Sequence, residues 1–431
     1  MTKPRTATPT VGFVDEYCAL YQAVFPDVRS FEQFTFLQVG LLSDLKRKTL
    51  PAIARAVQEG DPQALHHFLA NAPWSVAELR SRRIDVLRQA LRGASFTLCI
   101  DETGDKKKGK TTDYVAHQYI GNLGKLANGI VSVNAYGVLR NMTFPLLFKI
   151  YKPQTRLKPN DQYKSKPELA IELIRELRAL GFAFDVVLAD SLYGESGAFI
   201  AELSKCHLKY VVAIRSNHAV WVGPGQRVRR TRWRTCERIF WNGEQETRSI
   251  REIIFGVRRS VRFYEITTDP LTEPIESTWW LMTNLEGKIE QTLGNTYGLR
   301  TWIEYGFKHA KNELGWADYR VTDYATIERW WELVMCAYLL VSLQSPVFTP
   351  AEETTGDSDQ ERVPARFREH RWWDEGQGWK NLLNNLRLVL QPYIFHCLLI
   401  PWLLVFELPS LRAGFAELIR IMNTFHAALP T

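Results

Sequence analysis

From residue 12 to 94 apolar side chains recur every three or four positions. FVDEYCALYQAVF, SFEQFTFLQVGLLSDL, DPQALHHFLANA and SVAELRSRRIDVLRQAL each gather them on one helical face, with Asp or Ser where an N-cap belongs. Their connections are short, which suits a compact helical bundle. At residue 96 the period changes. FTLCID predicts a short apolar strand ending at Asp101, and HQYIGN, NGIVSVNAYGVL and TFPLLFKIY follow as strand-like runs punctuated by Gly and Asn. SKPELAIELIRELRALG predicts an amphipathic helix with Ser165 as cap and Gly181 as stop. DVVLAD predicts a buried strand ending at Asp190, ESGAFIAELSKC a helix, and KYVVAIR another strand. Successive strands imply an antiparallel meander, and the later strands alternate with helices as parallel pairing requires. The fold class is therefore α/β with a mixed central sheet.

Residues 215–295 interrupt this order with RIFW, IREIIFGVRRSVRFYEITT and STWWLMTNL, short runs that alternate apolar and charged positions. They predict an inserted β-rich subdomain. Helical periodicity returns at 296 and continues to the end, apart from the acidic, Pro-bearing stretch SPVFTPAEETTGDSDQERVPAR at 345–366, which reads as a linker. The division along the chain is a helical domain at 1–94, a mixed α/β domain at 95–344 with its insertion, the linker, and a helical region at 367–431. The most apolar run, YIFHCLLIPWLLVF at 393–406, is shorter than the roughly 20 residues a bilayer span needs and contains His396 and Pro401. It predicts a buried helix pair hinged at Pro401, and no membrane association. MTKPRTATPTVGF lacks the apolar run of a signal peptide.

A length of 431 residues implies two or three domains. The net charge of +7 hints at an anionic partner, and its placement sharpens the hint. Residues 226–262 hold 11 Arg against 4 Glu with no Lys or Asp, an excess of +7 in one segment. The six cysteines, Cys18, Cys99, Cys206, Cys236, Cys336 and Cys397, form no CxxC and read as reduced core thiols of a cytoplasmic protein.

Candidate chemistry rests on carboxylates. Asp101 and Asp190 each end an apolar strand, where an ionised group is costly unless paired or bound to a cation. Asp190 could equally cap the next helix. In YGLRTWIEYGFKHAK, a helix turning about 100° per residue would place Tyr297, Arg300, Glu304 and Lys311 within a sector of roughly 60°. That stripe is either a surface with an Arg300–Glu304 ion pair, or a grip on an anionic polymer beside one carboxylate. Three carboxylates and few candidate His ligands suit Mg²⁺ or Mn²⁺ better than zinc.

IDETGDKKKGK, HQYIGNLGK, VLADSLYG and YGLRTWIEYGFKHAK, in that order, resemble the DDE transposases of bacterial insertion sequences, nearest the IS4-like group and its IS701-type enzymes. That group's Tyr-x2-Arg-x3-Glu-x6-Lys signature is met by Tyr297, Arg300, Glu304 and Lys311. The resemblance covers about 95–345 firmly and the rest by general layout. It implies an RNase H-like catalytic domain at 95–344, with a β-rich insertion before the Glu. It implies Asp101, Asp190 and Glu304 as a catalytic triad holding two Mg²⁺ or Mn²⁺ ions, and Tyr297, Arg300 and Lys311 as DNA contacts. Asp101 is preferred over Glu102 and Asp105 because it ends the strand. Lys106, Lys107, Lys108 and Lys110 could follow a phosphate backbone or solvate a loop. Arg229, Arg230, Arg232 and Arg234 in the insertion are expected on DNA. Trp233, Trp241, Trp279 and Trp280 could stack on bases or fill the core. His117 and Gln118 fall in one of the resembling blocks without an evident role. The implied function is transposition: metal-dependent cleavage at the element's ends, then attack of the 3′-OH on double-stranded target DNA. A homodimer would hold the two ends, the helices of 1–94 would bind DNA or pack as a bundle, and the protein would work in the bacterial cytoplasm at the nucleoid. The alternatives are an RNase H-like nuclease without strand transfer, and a domesticated non-catalytic DNA-binding protein.

Overall fold

A computed structural model describes residues 5–57, 62–240, 243–348 and 365–430. Contacts divide the chain into two compact units. Met1–Gly93, Thr111–Asp113 and Phe307–Thr431 form one, and Ala94–Lys110 with Tyr114–Gly306 form the other. The N-terminal helices are thus gathered with the C-terminal ones, although the sequence separates them along the chain.

The first unit is helical. Helices Val28–Leu42, Val76–Leu91 and Tyr324–Leu343 start at Asp27, Ser75 and Asp323, whose side chains accept from backbone N–H groups of the first turn. Tyr324–Leu343 is buried over almost its whole length, with Trp331 stacked on Trp316 at 4.6 Å and Tyr338 stacked on Trp379 at 4.4 Å. Arg83 and Glu332, both fully buried, neutralise each other across this core. Helix Trp379–Val405 runs unbroken through Pro392 and Pro401, which corrects the expected hinge. A proline removes one N–H bond and can kink a helix without ending it. Nor is the second half buried. Cys397, Ile400 and Leu403 face inward, whereas Trp402, Leu404, Val405 and Phe406 are exposed. Most of the expected linker, residues 349–364, lies outside the described residues.

The second unit is built on one sheet of eleven strands. They are β1 (Phe96–Lys106), β2 (Ala116–Ile120), β3 (Lys125–Leu139), β4 (Met142–Tyr151), β5 (Phe184–Ala189), β6 (Tyr210–Ala213), β7 (Val228–Arg230), β8 (Arg234–Ile239), β9 (Gln245–Phe255), β10 (Arg262–Thr267) and β11 (Trp279–Thr283). β3 runs antiparallel to both β4 and β1, and β1, β5 and β6 are parallel. The spatial order β4-β3-β1-β5-β6 is that of an RNase H-like fold, with helix Lys166–Ala179 covering β3 and β4. Ser165 and Glu168 close a reciprocal capping box at the start of that helix.

Two expectations change in this unit. β1 does not stop at Asp101. It pairs with β3 from Thr97 to Lys106, because the long strand β3 offers partners for all of it. The Arg-rich insertion is not a separate subdomain. β11 adds antiparallel to β6, so β6-β11-β10-β9 continues the central sheet, with β7 and β8 along its outer edge. The free edge of β6 would otherwise expose its ladder groups, and the apolar strand WWLMT fills it.

Candidate active site

β1 and β5 pair through Ile100 opposite Ala189. Asp101 and Asp190 are the next residues on these parallel neighbours. β1 continues beyond this point only against β3, so Asp101 stands where the β1–β5 ladder opens. Asp190 caps helix Ser191–Gly194, accepting from Leu192 N at 2.9 Å, so the capping reading holds alongside any other role. Gly194 lets this turn press on β6, where an added Cβ would fall 1.9 Å from the Ala213 carbonyl oxygen.

The expected single helix at 297–311 is two. Leu293–Gly298 and Thr301–Asn312 meet at Leu299 and Arg300, where i→i−3 bonds such as Arg300 N to Tyr297 O replace the α-helical pattern. The break has a tertiary cause. Tyr297 is drawn in, its ring edge-on to Trp279 at 5.2 Å, and Cys99 Sγ of β1 donates to the Leu299 carbonyl. Arg300 then reaches the carboxylates, donating to Asp101 Oδ2 at 2.7 Å and to Glu304 Oε1 at 2.6 Å. The Arg300–Glu304 ion pair does form, but Arg300 is only 20% exposed and bridges to a second carboxylate.

Electrostatics mark the spot. Burial pushes the Asp101 carboxyl up to about 7, with Arg300 working against the shift and Asp190 adding to it. Burial also raises Asp190, helped by the neighbouring Glu102 and opposed by Arg300. Burial lifts the Tyr297 hydroxyl to about 12. Arg300 offsets only part of the charge on these buried acids, whose pKa values stay raised, and an all-oxygen donor set here fits a hard divalent cation. Asp101, Asp190 and Glu304 would hold it. Among the described residues no three His, Cys, Asp or Glu are already gathered tightly enough to hold a metal. Arg300 occupies oxygens of two of these three carboxylates.

Asp101, Asp190, Arg300 and Glu304 are therefore brought together, with Tyr297 buried beside them. Glu102 faces other partners, accepting from Lys166 Nζ at 2.8 Å and Tyr193 OH at 3.1 Å. Sequence reasoning missed Lys166 and Tyr193, and the consecutive acids Asp101 and Glu102 were the one available signal. Lys106 and Lys108 are exposed at the end of β1 and just beyond, with Lys107 half-buried between them. Lys311 lies in the last turn of Thr301–Asn312, in the part grouped with the helical unit. His117 is exposed, and Gln118 donates to the Gly129 carbonyl.

The arginines of the insertion fall into two sets. Arg248, Arg251 and Arg262 are largely buried and paired with Glu246, Glu265 and Glu252. Arg229, Arg230, Arg232 and Arg234 are exposed along β7 and the start of β8, with β6, β11, β10 and β9 between them and β5. Trp279 lies under the guanidinium groups of Arg238 and Arg248, and Trp233 under that of Arg251. Trp241 lies outside the described residues.

A sheet that opens between two acid-bearing parallel strands, with a third carboxylate tied to them through Arg300, is the arrangement expected of a DDE-type nuclease site. The chain matches the family described as DDE superfamily endonuclease over residues 21–240, and the transposase DDE domain over 157–340. It belongs to the DDE transposases of insertion sequences. Over 329 residues it is 54% identical to the probable transposase for insertion sequence element IS701 of Microchaete diplosiphon, covering 76% of this chain and 87% of that relative. Among solved structures, the Drosophila P element transposase strand transfer complex aligns at 11% identity over 45% of this chain and 43% of that one. Its TM-score of 0.18 is too low to bear on the fold. Membership makes the chain a divalent-metal-dependent enzyme that acts on DNA.

Proposed function

We propose that the chain cuts double-stranded DNA at the ends of its own element and joins the freed 3′-OH to target DNA in the same site. The observation that carries this reading is the juxtaposition of Asp101 and Asp190 across the β1–β5 ladder, with Glu304 joined to Asp101 through Arg300. Asp101, Asp190 and Glu304 would hold two Mg²⁺ or Mn²⁺ ions. Bound there, such ions would supply Lewis-acid stabilisation of the attacking and leaving oxygens. Arg300 and Lys311 grip phosphates of the DNA end, Arg300 as a planar fork and Lys311 as a point charge. Tyr297, packed on Trp279, fixes the Arg300 turn against that strand. Lys106, Lys107 and Lys108 extend the grip beside the site. Arg229, Arg230, Arg232 and Arg234 follow the backbone farther along, and the helices of 1–94 add end binding. The enzyme works at the bacterial nucleoid.

Two DNA ends require two protomers, and the C-terminal helices offer a surface for the second copy. Residues 388–406 carry no Asp, Glu, Lys or Arg, so two copies meet there without like-charge repulsion. Large apolar side chains from Phe395 to Ile421 are exposed on these helices, the kind of surface a second copy covers in a standard interface of roughly 800 Å² per partner. Helix Trp379–Val405 is long and apolar enough to cross a bilayer by length and composition. However, its first half is tied into the helical unit by Arg387, which bonds the Leu42 carbonyl and Glu313, and that anchor favours a protein partner for the apolar remainder.

The test is full-length protein with Mg²⁺ and DNA carrying the flanks of its own gene, with cleavage and joining scored separately. Both activities are expected. Cleavage without joining would favour the nuclease alternative, and binding without cleavage a domesticated protein.

A further inference from the structure

The Arg300 guanidinium uses its two terminal nitrogens on two different acids, Asp101 at 2.7 Å and Glu304 at 2.6 Å, while four-fifths of its side chain is covered. A carboxylate oxygen engaged in a short charge-assisted bond points that lone pair at its donor. A second cation entering the same pair would also meet the guanidinium charge in a partly desolvated place, where repulsion is poorly screened. Arg300 therefore competes with any cation for Asp101 and Glu304. It cannot simply lose its charge, since a guanidinium stays protonated: burial works against the charge, but Asp101, with Tyr297 and Glu304, outweighs it. To vacate the carboxylates it needs another anion, and a phosphodiester accepts the same fork.

We propose that Arg300 gates the metal site: in DNA-free protein it neutralises the Asp101–Glu304 pair, and a DNA phosphate draws it off so that cation loading follows engagement of the end. This rests on Asp101, Asp190 and Glu304 being the metal ligands. The benefit is physical. A loaded nuclease site is withheld until substrate is present, and by linkage DNA and metal each tighten the other's binding by the same factor. Arg300 is then a positioning residue for metal entry in addition to its grip on DNA.

The test is Mn²⁺ binding to the full-length protein, read by the electron-paramagnetic signal of free Mn²⁺. It is run alone and with a duplex representing an already cleaved end, so that no turnover is involved. Wild type should bind Mn²⁺ weakly alone and on the order of tenfold more tightly with the duplex. Arg300→Gln should bind Mn²⁺ alone about as tightly as wild type with duplex, and adding duplex should change it little. Arg300→Lys, which keeps the charge but loses the fork, should fall between them, and unchanged circular dichroism would establish its fold. Asp190→Asn should lose binding in every condition. If Asp190→Asn loses binding but Arg300→Gln gains none, the gate is overturned and the metal site stands. If Asp190→Asn and Glu304→Gln both bind as wild type does, the ligand assignment falls and takes the gate with it.

Discussion

Ile100 stands opposite Ala189 in the parallel ladder of β1 and β5, so Asp101 and Asp190 follow as neighbours on strands only about 4.8 Å apart. Residues far apart in sequence are thereby placed side by side by backbone pairing alone, before any side chain chooses a rotamer. The third acid has no such constraint. Glu304 is exposed on its helix and is tied to the pair through Arg300.

This difference predicts how the acids respond to substitution. Asp101→Ala, Asp190→Ala and Glu304→Ala should each lower cleavage and joining by more than roughly a hundredfold while end binding persists. Gel-shift and cleavage assays on one DNA substrate separate the two effects. Full cleavage by Glu304→Ala would remove it from the triad. Asp190→Ala should also cost about 1 kcal/mol of stability through the lost cap, a penalty that Glu304→Ala should not show.

Asp101 should also leave a mark on stability. Its folded-state pKa lies near 7 against an ordinary 3.8, so the folded protein keeps a proton that the unfolded chain releases. The resulting stability is complete below about pH 4 and is lost as pH rises towards 7. In metal-free buffer, wild type should lose on the order of 1–3 kcal/mol relative to Asp101→Asn between those pH values. His309, depressed to about 4 by burial, works in the opposite direction and is common to both proteins, so it cancels in the difference. Denaturant midpoints at pH 5, 6 and 7 provide the comparison, and parallel curves would contradict it.

Much of this architecture is legible in the sequence because it depends on local periodicity. The helix from Ser165 to Gly181, the strand before Asp190 and the alternation that follows all read directly, and the order of strands and helices narrows the fold. Pairing partners do not read in this way. Nothing in FTLCIDETGDK announces that β3 is long enough to pair beyond Asp101, nor that WWLMT closes the edge of β6. Helical geometry placed Tyr297, Arg300 and Glu304 on one face, but tertiary contacts of Tyr297 and Leu299 broke the helix. The apolar run at 393–406 suggests burial by composition, whereas much of it is exposed. Composition cannot distinguish a core from an unfilled interface.

The arginines of the insertion should behave as two classes. Neutralising Arg229, Arg230, Arg232 and Arg234 together should weaken DNA binding and flatten its salt dependence by up to roughly 3–4 in slope, with little effect on folding. Arg251→Ala should do the reverse. It leaves the fully buried Glu265 without its ion-pair partner, which should cost about 3–5 kcal/mol or force that acid to take up a proton. Binding measured across a salt series, together with thermal denaturation, tests both. An unchanged slope in the quadruple variant would place the β7–β8 edge away from DNA.

The exposed C-terminal helix yields the last prediction. Trp402, Leu404, Val405 and Phe406 are each at least 60% exposed, and burying a large apolar side chain contributes about 1.5–3 kcal/mol. Trp402→Glu with Leu404→Glu should therefore convert a dimer to monomers in light scattering behind size exclusion. Neither side chain supports the packed first half of the helix, so the thermal midpoint of the monomer should stay near that of a dilute wild-type sample. Single-end binding should survive, whereas bridging of two labelled ends should fall sharply. Opposite charges at Trp402 on one copy and Leu404 on another could restore pairing only if those positions face each other across the two-fold axis, so mixing Trp402→Glu with Leu404→Lys protein also probes register. A wild-type monomer at micromolar concentration, together with retention on uncharged phosphatidylcholine vesicles that the double variant loses, would show the apolar surface meeting lipid and would reject the second copy as its occupant.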